Sequence, residues 1–354
     1  MRPEEIVDGL LACPTAPFLE ELPARFVLDL AAATDGLDAD RDAAGNVVVR
    51  SKGEGPPLVL VAHLDHPGFV VDALVGTTAA LTFRGGLGLT AATEGSPLDF
   101  FRPGVAEPTG RGVLQAASGA AGRLTGASAL VHDGDAPTDG FAMWGFPAVD
   151  RRDGRINGRV CDDLMGVAAA LAALVATAED DLPRPVWGLF TRAEEVGLLG
   201  AVQAVRLGTV PRDAIVLSLE TSKALPEAPQ GAGVIVRVGD RVSIFDPHVT
   251  AALAAVAQGA GVTHQRRLMD GGTCEATAFC AAGYRASGLA LPLGNYHNAA
   301  DDGLGVAPEN VAESDFAAEV ALLTALARTP LDLDRSKAWF EERAVAAAEA
   351  FEHA

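Results

Sequence analysis

The spacing of apolar and polar positions changes character three times along the chain. Between residues 3 and 33, Phe18, Leu19, Leu22, Phe26, Val27 and Leu30 recur at helical spacing, and Pro14 and Pro17 break the segment into two predicted helices. Asn46–Arg50 reads as a strand after a Gly45 turn, and Pro57–Ala62 as a second, fully apolar strand that ends in His63-Leu-Asp65-His66. From Phe69 onward the runs shorten. Ala79–Phe83 and Gly112–Gln115 are β-branched or apolar pieces cut by Gly, Thr, Ser and Pro, and no helix-length period is found before residue 155. Helical texture returns at Asp162, where Leu164–Val175 reads as a buried helix. Strands then alternate with helices: strands at 186–190, 214–219 and 233–238, helices at 198–207, 249–260 and 309–327, and a charged amphipathic helix at 336–353 on the outside.

This alternation predicts an α/β fold, a mostly parallel sheet sandwiched by helices, formed by residues 1–68 and 156–354. Residues 69–155 are predicted to be a small β-rich domain inserted between its two halves. A length of 354 residues suits one large unit and a smaller one.

Charge narrows the function. Asp and Glu total 47 against 27 Lys and Arg, a formal net charge of -20. Such a balance argues against nucleic acid and anionic membranes as partners, since both require basic patches. Four cysteines (Cys13, Cys161, Cys274, Cys280) without a C-x-x-C pair make no disulfide framework. Met1–Asp8 carries no signal-peptide pattern, and no apolar run reaches the ~18 residues of a spanning helix. A cytoplasmic, reducing location is expected.

The candidate chemistry centres on Thr191-Arg-Ala-Glu194-Glu195-Val-Gly-Leu-Leu-Gly200, which follows the apolar strand ending at Phe190. Loops at strand ends are where open α/β sheets place their sites. Adjacent side chains leaving a strand point in different directions, so one Glu can bind a metal while the other faces a water. Four further places join a strand or helix end to metal-capable side chains: His63 with Asp65, Asp162 with Asp163, Glu220, and His297. Each has an ordinary alternative: a core histidine, a helix N-cap, a surface acid, a loop histidine, a solvated Glu pair. Charge arithmetic favours a two-metal site. Asp162, Glu195, Glu220 and a bridging hydroxide balance two divalent cations, with His63 and His297 as neutral ligands, one on each. Zinc suits such mixed ligation, with cobalt or manganese as substitutes. Asp162 would bridge cations roughly 3.5–4 Å apart. Asp65 would accept the second ring N–H of His63, and Glu194 would be the general base. Gly86-Leu-Gly88 is read as a turn rather than a dinucleotide fingerprint, and no G-x-S-x-G elbow occurs.

His63-Leu-Asp65-His-Pro-Gly68-Phe, Cys161-Asp162-Asp163-Leu-Met-Gly166-Val, Ala193-Glu194-Glu195-Val-Gly197-Leu and Asn295-Tyr-His297 together resemble the dinuclear metallo-aminopeptidases. Within these, the chain is similar to the glutamyl aminopeptidase and endoglucanase-M-like family, which includes the tetrahedral aminopeptidases. The resemblance runs over nearly the whole chain. It implies a zinc-peptidase-like fold, a PDZ-like β insertion used in assembly, and homo-oligomers up to dodecamers. It implies His63, Asp162, Glu195, Glu220 and His297 as ligands, Asp162 bridging, Glu194 as base, and a cis peptide between Asp162 and Asp163. Four positions depart from the family pattern: His66, Glu220, Cys161 before the first Asp, and Cys274 in Gly271-Gly-Thr273-Cys274. The last stretch lies near substrate in the family, which makes Thr273 and Cys274 candidate substrate contacts. Arg266 and Arg267 form a basic pair just before it, able to neutralise an acidic substrate side chain or simply to be solvated. The expected reaction is removal of N-terminal residues from peptides. The alternatives are hydrolysis of a small N-acyl or amino-acid amide, and a non-catalytic assembly module.

Overall fold

The structure, a computed structural model, describes residues 1–352. The first half of the main unit supplies α1 (Pro3–Leu11), α2 (Glu21–Ala32), β1 (Leu37–Arg41), β2 (Val47–Ser51) and β3 (Leu58–His63). Six strands follow: β4 (Gly68–Val75), β5 (Thr78–Arg84), β6 (Pro97–Phe101), β7 (Gly110–Ala120), β8 (Arg123–Gly134) and β9 (Phe141–Trp144). They close into a barrel in the order β4-β5-β8-β7-β6-β9, filled by Phe69, Phe100 and Trp144. Closure leaves this insertion without free edges.

The chain then returns to the main unit through β10 (Asp150–Arg152), β11 (Arg155–Gly158), α3 (Leu164–Thr177), β12 (Val186–Thr191), α4 (Leu199–Leu207), β13 (Ile215–Ser218) and β14 (Thr221–Lys223). It continues with β15 (Val234–Gly239), α5 (Pro247–Gly259), β16 (His264–Leu268), α6 (Glu275–Ala281), β17 (Arg285–Gly294), β18 (Glu309–Ala312), α7 (Glu313–Arg328) and α8 (Arg335–Glu352). β10 already pairs with β11 in the large sheet, although it falls on the inserted side of the 155/156 boundary expected from sequence.

The large sheet has 12 strands. Its centre, β12-β3-β13-β17, is parallel, and antiparallel ladders extend it toward both edges. The α/β class with a barrel insertion is as the sequence predicts. Every residue of β3 is buried, as an apolar run between helix layers should be. α3 is buried from Leu164 to Leu174, apolar around its circumference there and packed against the sheet, α1 and α7.

One predicted element changes type. Residues 309–312 are strand β18 rather than the first turn of a helix, because they pair with β11 and with β17. Such tertiary pairing outweighs local helix propensity. The predicted helix at 336–353 is α8, with His353 outside the described residues. Among the described residues, no helix is long and apolar enough to cross a membrane.

Candidate metal centre

β12, β3, β13 and β17 are adjacent, and their carboxyl ends point one way. His63 is the last residue of β3 and pairs with Thr191, the last of β12. Glu220 lies two residues past β13, and His297 three past β17. Asp162 stands just before α3 and is joined to Asp163 by a cis peptide bond. Parallel register thus collects at one sheet edge residues that are up to 234 positions apart in sequence, counting from 63 to 297.

Three overlapping groups result. His63, Asp162 and Glu220 bring ligand atoms within 4.8 Å of one another, and so do Asp162, Glu195 and His297, and His63, Glu194 and Glu195. Asp162 belongs to the first two. Its Oδ1 lies 3.4 Å from His63 Nε2 and its Oδ2 lies 3.4 Å from His297 Nε2. Glu195 Oε1 is 3.2 Å from His297 Nε2.

The donor chemistry fits cations. His63 Nδ1 donates to the Asp65 carbonyl at 3.0 Å, and His297 Nδ1 donates to the Gly86 carbonyl. Each Nε2 lone pair therefore faces carboxylate oxygens. Asp162 Oδ1, Glu195 Oε1 and Glu220 Oε1 are buried without a hydrogen-bond partner. Lone pairs facing one another in a buried site require positive charge between them. The protonation tendencies express the same demand. Burial opposes charging of both imidazoles, yet the carboxylates around His63 and His297 outweigh it and hold both pKa values well above the ordinary range. Burial pushes Glu220 up to about 8, against the pull of Arg237. Burial, with help from Glu220 and Glu195, pushes Glu194 well above the usual carboxylate range.

Asp65 acts differently from the sequence expectation. The His63 ring N–H goes to its backbone carbonyl, and its Oδ1 is 3.7 Å from that nitrogen. The carboxylate instead accepts the backbone N–H of Glu194 at 2.9 Å and of Glu195 at 3.1 Å. Ala193 before them is left-handed, with φ 53°, and its N–H is held by Glu20 at 3.1 Å. Two carboxylates thus fix the turn that aims the Glu pair, the over-determination that a strained backbone at a site requires.

A cleft of about 510 Å³ opens beside the cluster, lined by Glu194, Glu195, Tyr296, Thr273 and Arg241, with Arg123 contributed by the barrel. Through Gly271–Thr273 and Tyr296 it joins a smaller cavity of about 150 Å³ that reaches Glu220, Lys223 and Arg237. Of the expected substrate contacts, Thr273 lines both. Cys274 does not: it is fully buried in a cluster with Phe279 and Phe245, where burial pushes its thiol up strongly. Arg266 and Arg267 do not line either cavity and take the solvated alternative. Both are exposed on β16, and Arg267 donates to the backbone carbonyls of Glu227 and Arg266. Arg237, Glu309, Asn298 and Gly86 were missed. The buried, uncompensated Arg in strand 233–238 was the one available signal. Gly86 carries none in sequence, because its part is played by a backbone carbonyl.

The model of the family described as M42 glutamyl aminopeptidase matches residues 141–301, which include the Asp pair, the Glu pair, Glu220 and His297. In overall structure the chain is similar to the TET aminopeptidase of a marine-sediment Thaumarchaeota archaeon, with TM-score 0.78 and 18% identity over 92% of this chain and 96% of that one. It is similar to an aminopeptidase of Desulfurococcus kamchatkensis, with TM-score 0.78 and 20% identity over 92% and 94%. The Pyrococcus horikoshii TET1 peptidase, described as assembling into a tetrahedron or a large octahedral shell, gives TM-score 0.76 and 20% identity over 93% and 100%. These likenesses carry the fold, and the family match, over residues 141–301, makes the chain similar in that part to the M42 glutamyl aminopeptidases, which are hydrolases.

Proposed function

We propose that this protein is an aminopeptidase that holds two divalent cations, zinc by preference, and hydrolyses the amide bond after the N-terminal residue of a peptide. The observation that carries the reading is the shared Asp162, with an imidazole Nε2 facing each of its oxygens at 3.4 Å. His63, Asp162 and Glu220 would hold one cation, and Asp162, Glu195 and His297 the other. When bound, such cations supply electrophilic activation of the carbonyl and make water easier to deprotonate.

The chain's own residues do the remainder. Glu194, whose Oε2 is 4.0 Å from His63 Nε2, takes the proton from the attacking water and returns it to the leaving amine. Asp65 holds Glu194 and Glu195 in place through their backbone N–H groups. The cavity behind Glu220 receives the side chain of the N-terminal residue. Arg237, 2% exposed with Nε and Nη1 unpartnered, and Lys223 beside it suit an acidic side chain there.

The reading includes a homo-oligomer, supported by the assemblies named for the Pyrococcus relative, and a cytoplasmic setting, supported by four unpaired cysteines. Metal content of the purified protein, with a panel of aminoacyl-anilides and N-acetyl amino acids, tests the proposal. Two equivalents of metal and a need for a free α-amine support it. Activity on N-acetyl substrates alone makes the protein a deacylase, and an inactive, metal-free protein overturns both.

A further inference from the structure

One buried carboxylate outside the ligand set grips both halves of the centre. Glu309 opens β18 and is fully buried. Its Oε2 accepts the backbone N–H of Cys161 at 2.7 Å and of Asp162 at 3.0 Å. Its Oε1 accepts the backbone N–H of His297 at 2.8 Å. Topology makes this reach possible. β18 lies between β11, which leads into Asp162, and β17, which leads into His297.

The segments it joins need holding. Asn295, His297 and Asn298 all sit in the left-handed region, with φ of 55°, 54° and 60°, where non-glycine residues persist only if their surroundings over-determine them. A second brace runs alongside. His66 Nδ1 donates to the Asp162 carbonyl at 2.7 Å, and its Nε2 lies 3.0 Å from Asn298 Oδ1. A buried carboxylate with three N–H donors is a fixed, oriented group, expensive to bury unless each bond is made.

We infer that Glu309 is a positioning residue for the metal centre: it sets the spacing of Asp162 and His297, and therefore governs the cation held by Asp162, Glu195 and His297 more than the one held by His63, Asp162 and Glu220. This rests on the two-cation reading above. It predicts an asymmetric defect, which a residue that merely fills the core would not produce.

The test uses the full chain carrying Glu309→Gln, in which one arm keeps an acceptor and the other becomes an NH2 group. Glu309→Asp, which keeps the charge but is too short to span both segments, is the second variant in case the first folds poorly. Hydrogen exchange by mass spectrometry, on protein as purified and after chelation, reads the clamp without reference to metal. Peptides covering 159–163 and 295–298 should exchange about tenfold faster or more, the loss expected for one hydrogen bond to a charged group, while β3 keeps its protection. Zinc titration of the chelated protein should then show one site weakened by about 10- to 100-fold, as for lost outer partners of metal ligands, and the other little changed. Unchanged exchange in both segments overturns the inference. So does uniform loss of protection across β3 and α3, which marks a core role, and so does equal weakening of both zinc sites. A wild-type protein that binds no zinc overturns the two-cation reading instead, and the exchange data still decide whether the clamp exists.

Discussion

The backbone carbonyl of Gly86, in the inserted barrel, accepts the Nδ1 hydrogen of His297, at the end of a strand in the main unit. This bond fixes the tautomer that leaves Nε2 free toward Asp162 and Glu195. The barrel therefore does more than extend the molecule. Replacing residues 69–144, which leaves β10 and β11 in place, by a short linker should give a smaller species by light scattering and weaken the zinc site containing His297. A wild-type protein that runs as a monomer at micromolar concentration would remove the assembly role. A deletion variant with unchanged zinc affinity would remove the second.

Glu194 and Glu195 are adjacent yet should fail differently. Glu194→Gln keeps shape but cannot accept a proton, and the rate should fall about 100- to 10,000-fold with metal content near wild type. Glu195→Gln should lose metal as well as activity. Metal analysis beside turnover on an aminoacyl-anilide checks both, and the opposite pattern would exchange their roles.

The Asp65 carboxylate is positioned to act through the Glu turn, while the His63 ring is held by the Asp65 backbone carbonyl. Asp65→Asn retains one acceptor and should lower turnover by about 10- to 100-fold, the usual effect of a supporting partner, while zinc stays bound. Loss of zinc in this variant would restore the carboxylate–His63 role expected from sequence.

The cationic residues that select substrate should be Arg237 and Lys223. Arg237→Met should lower the ratio of kcat/KM for Glu-anilide over Leu-anilide by about 10- to 100-fold, the value of a charge-assisted hydrogen bond, and Lys223→Met by less. Arg266→Ala and Arg267→Ala should leave the ratio unchanged. A shift in the ratio for the last two alone would return specificity to the β16 pair.

Glu319 gives a pH dependence unconnected with catalysis. It is fully buried on α7 with both oxygens unpartnered, and burial, reinforced by Asp315, pushes it well above its ordinary 4.5. The folded state therefore binds this proton more tightly than the unfolded chain does. Its contribution is fully present below pH 4.5 and is lost as pH rises toward the folded value. Each pH unit in that window should cost on the order of 1.4 kcal/mol. Glu319→Gln, which has no proton to lose, should gain melting temperature relative to wild type as pH increases from 5 to 8. A constant difference across that range would show that Glu319 is solvated or paired.

How much was legible in the sequence follows the range of the physics involved. Period and composition are local. They determined that Pro57–Ala62 is a buried strand, that Leu164–Val175 is a helix with no polar face, and that the texture between Phe69 and residue 155 is β rather than α. Side chains at strand ends are likewise visible, so His63, Asp162, Glu194, Glu195, Glu220 and His297 could be named before any coordinates. Partners are not local. Whether Asp65 turns its carboxylate to His63 or to the Glu loop depends on a turn built 129 residues later. Whether Glu309 begins a helix or a strand depends on β11 and β17 flanking it, and that choice alone brings its carboxylate to Asp162 and His297. Arg266 and Arg237 look equally cationic on paper. Position in the sheet decided that one faces water and the other lies buried behind Glu220: Arg237 is on β15, flanked by β16 and β17, whereas Arg266 is on β16, which pairs with β15 alone, and only the fold says which strand is at the edge.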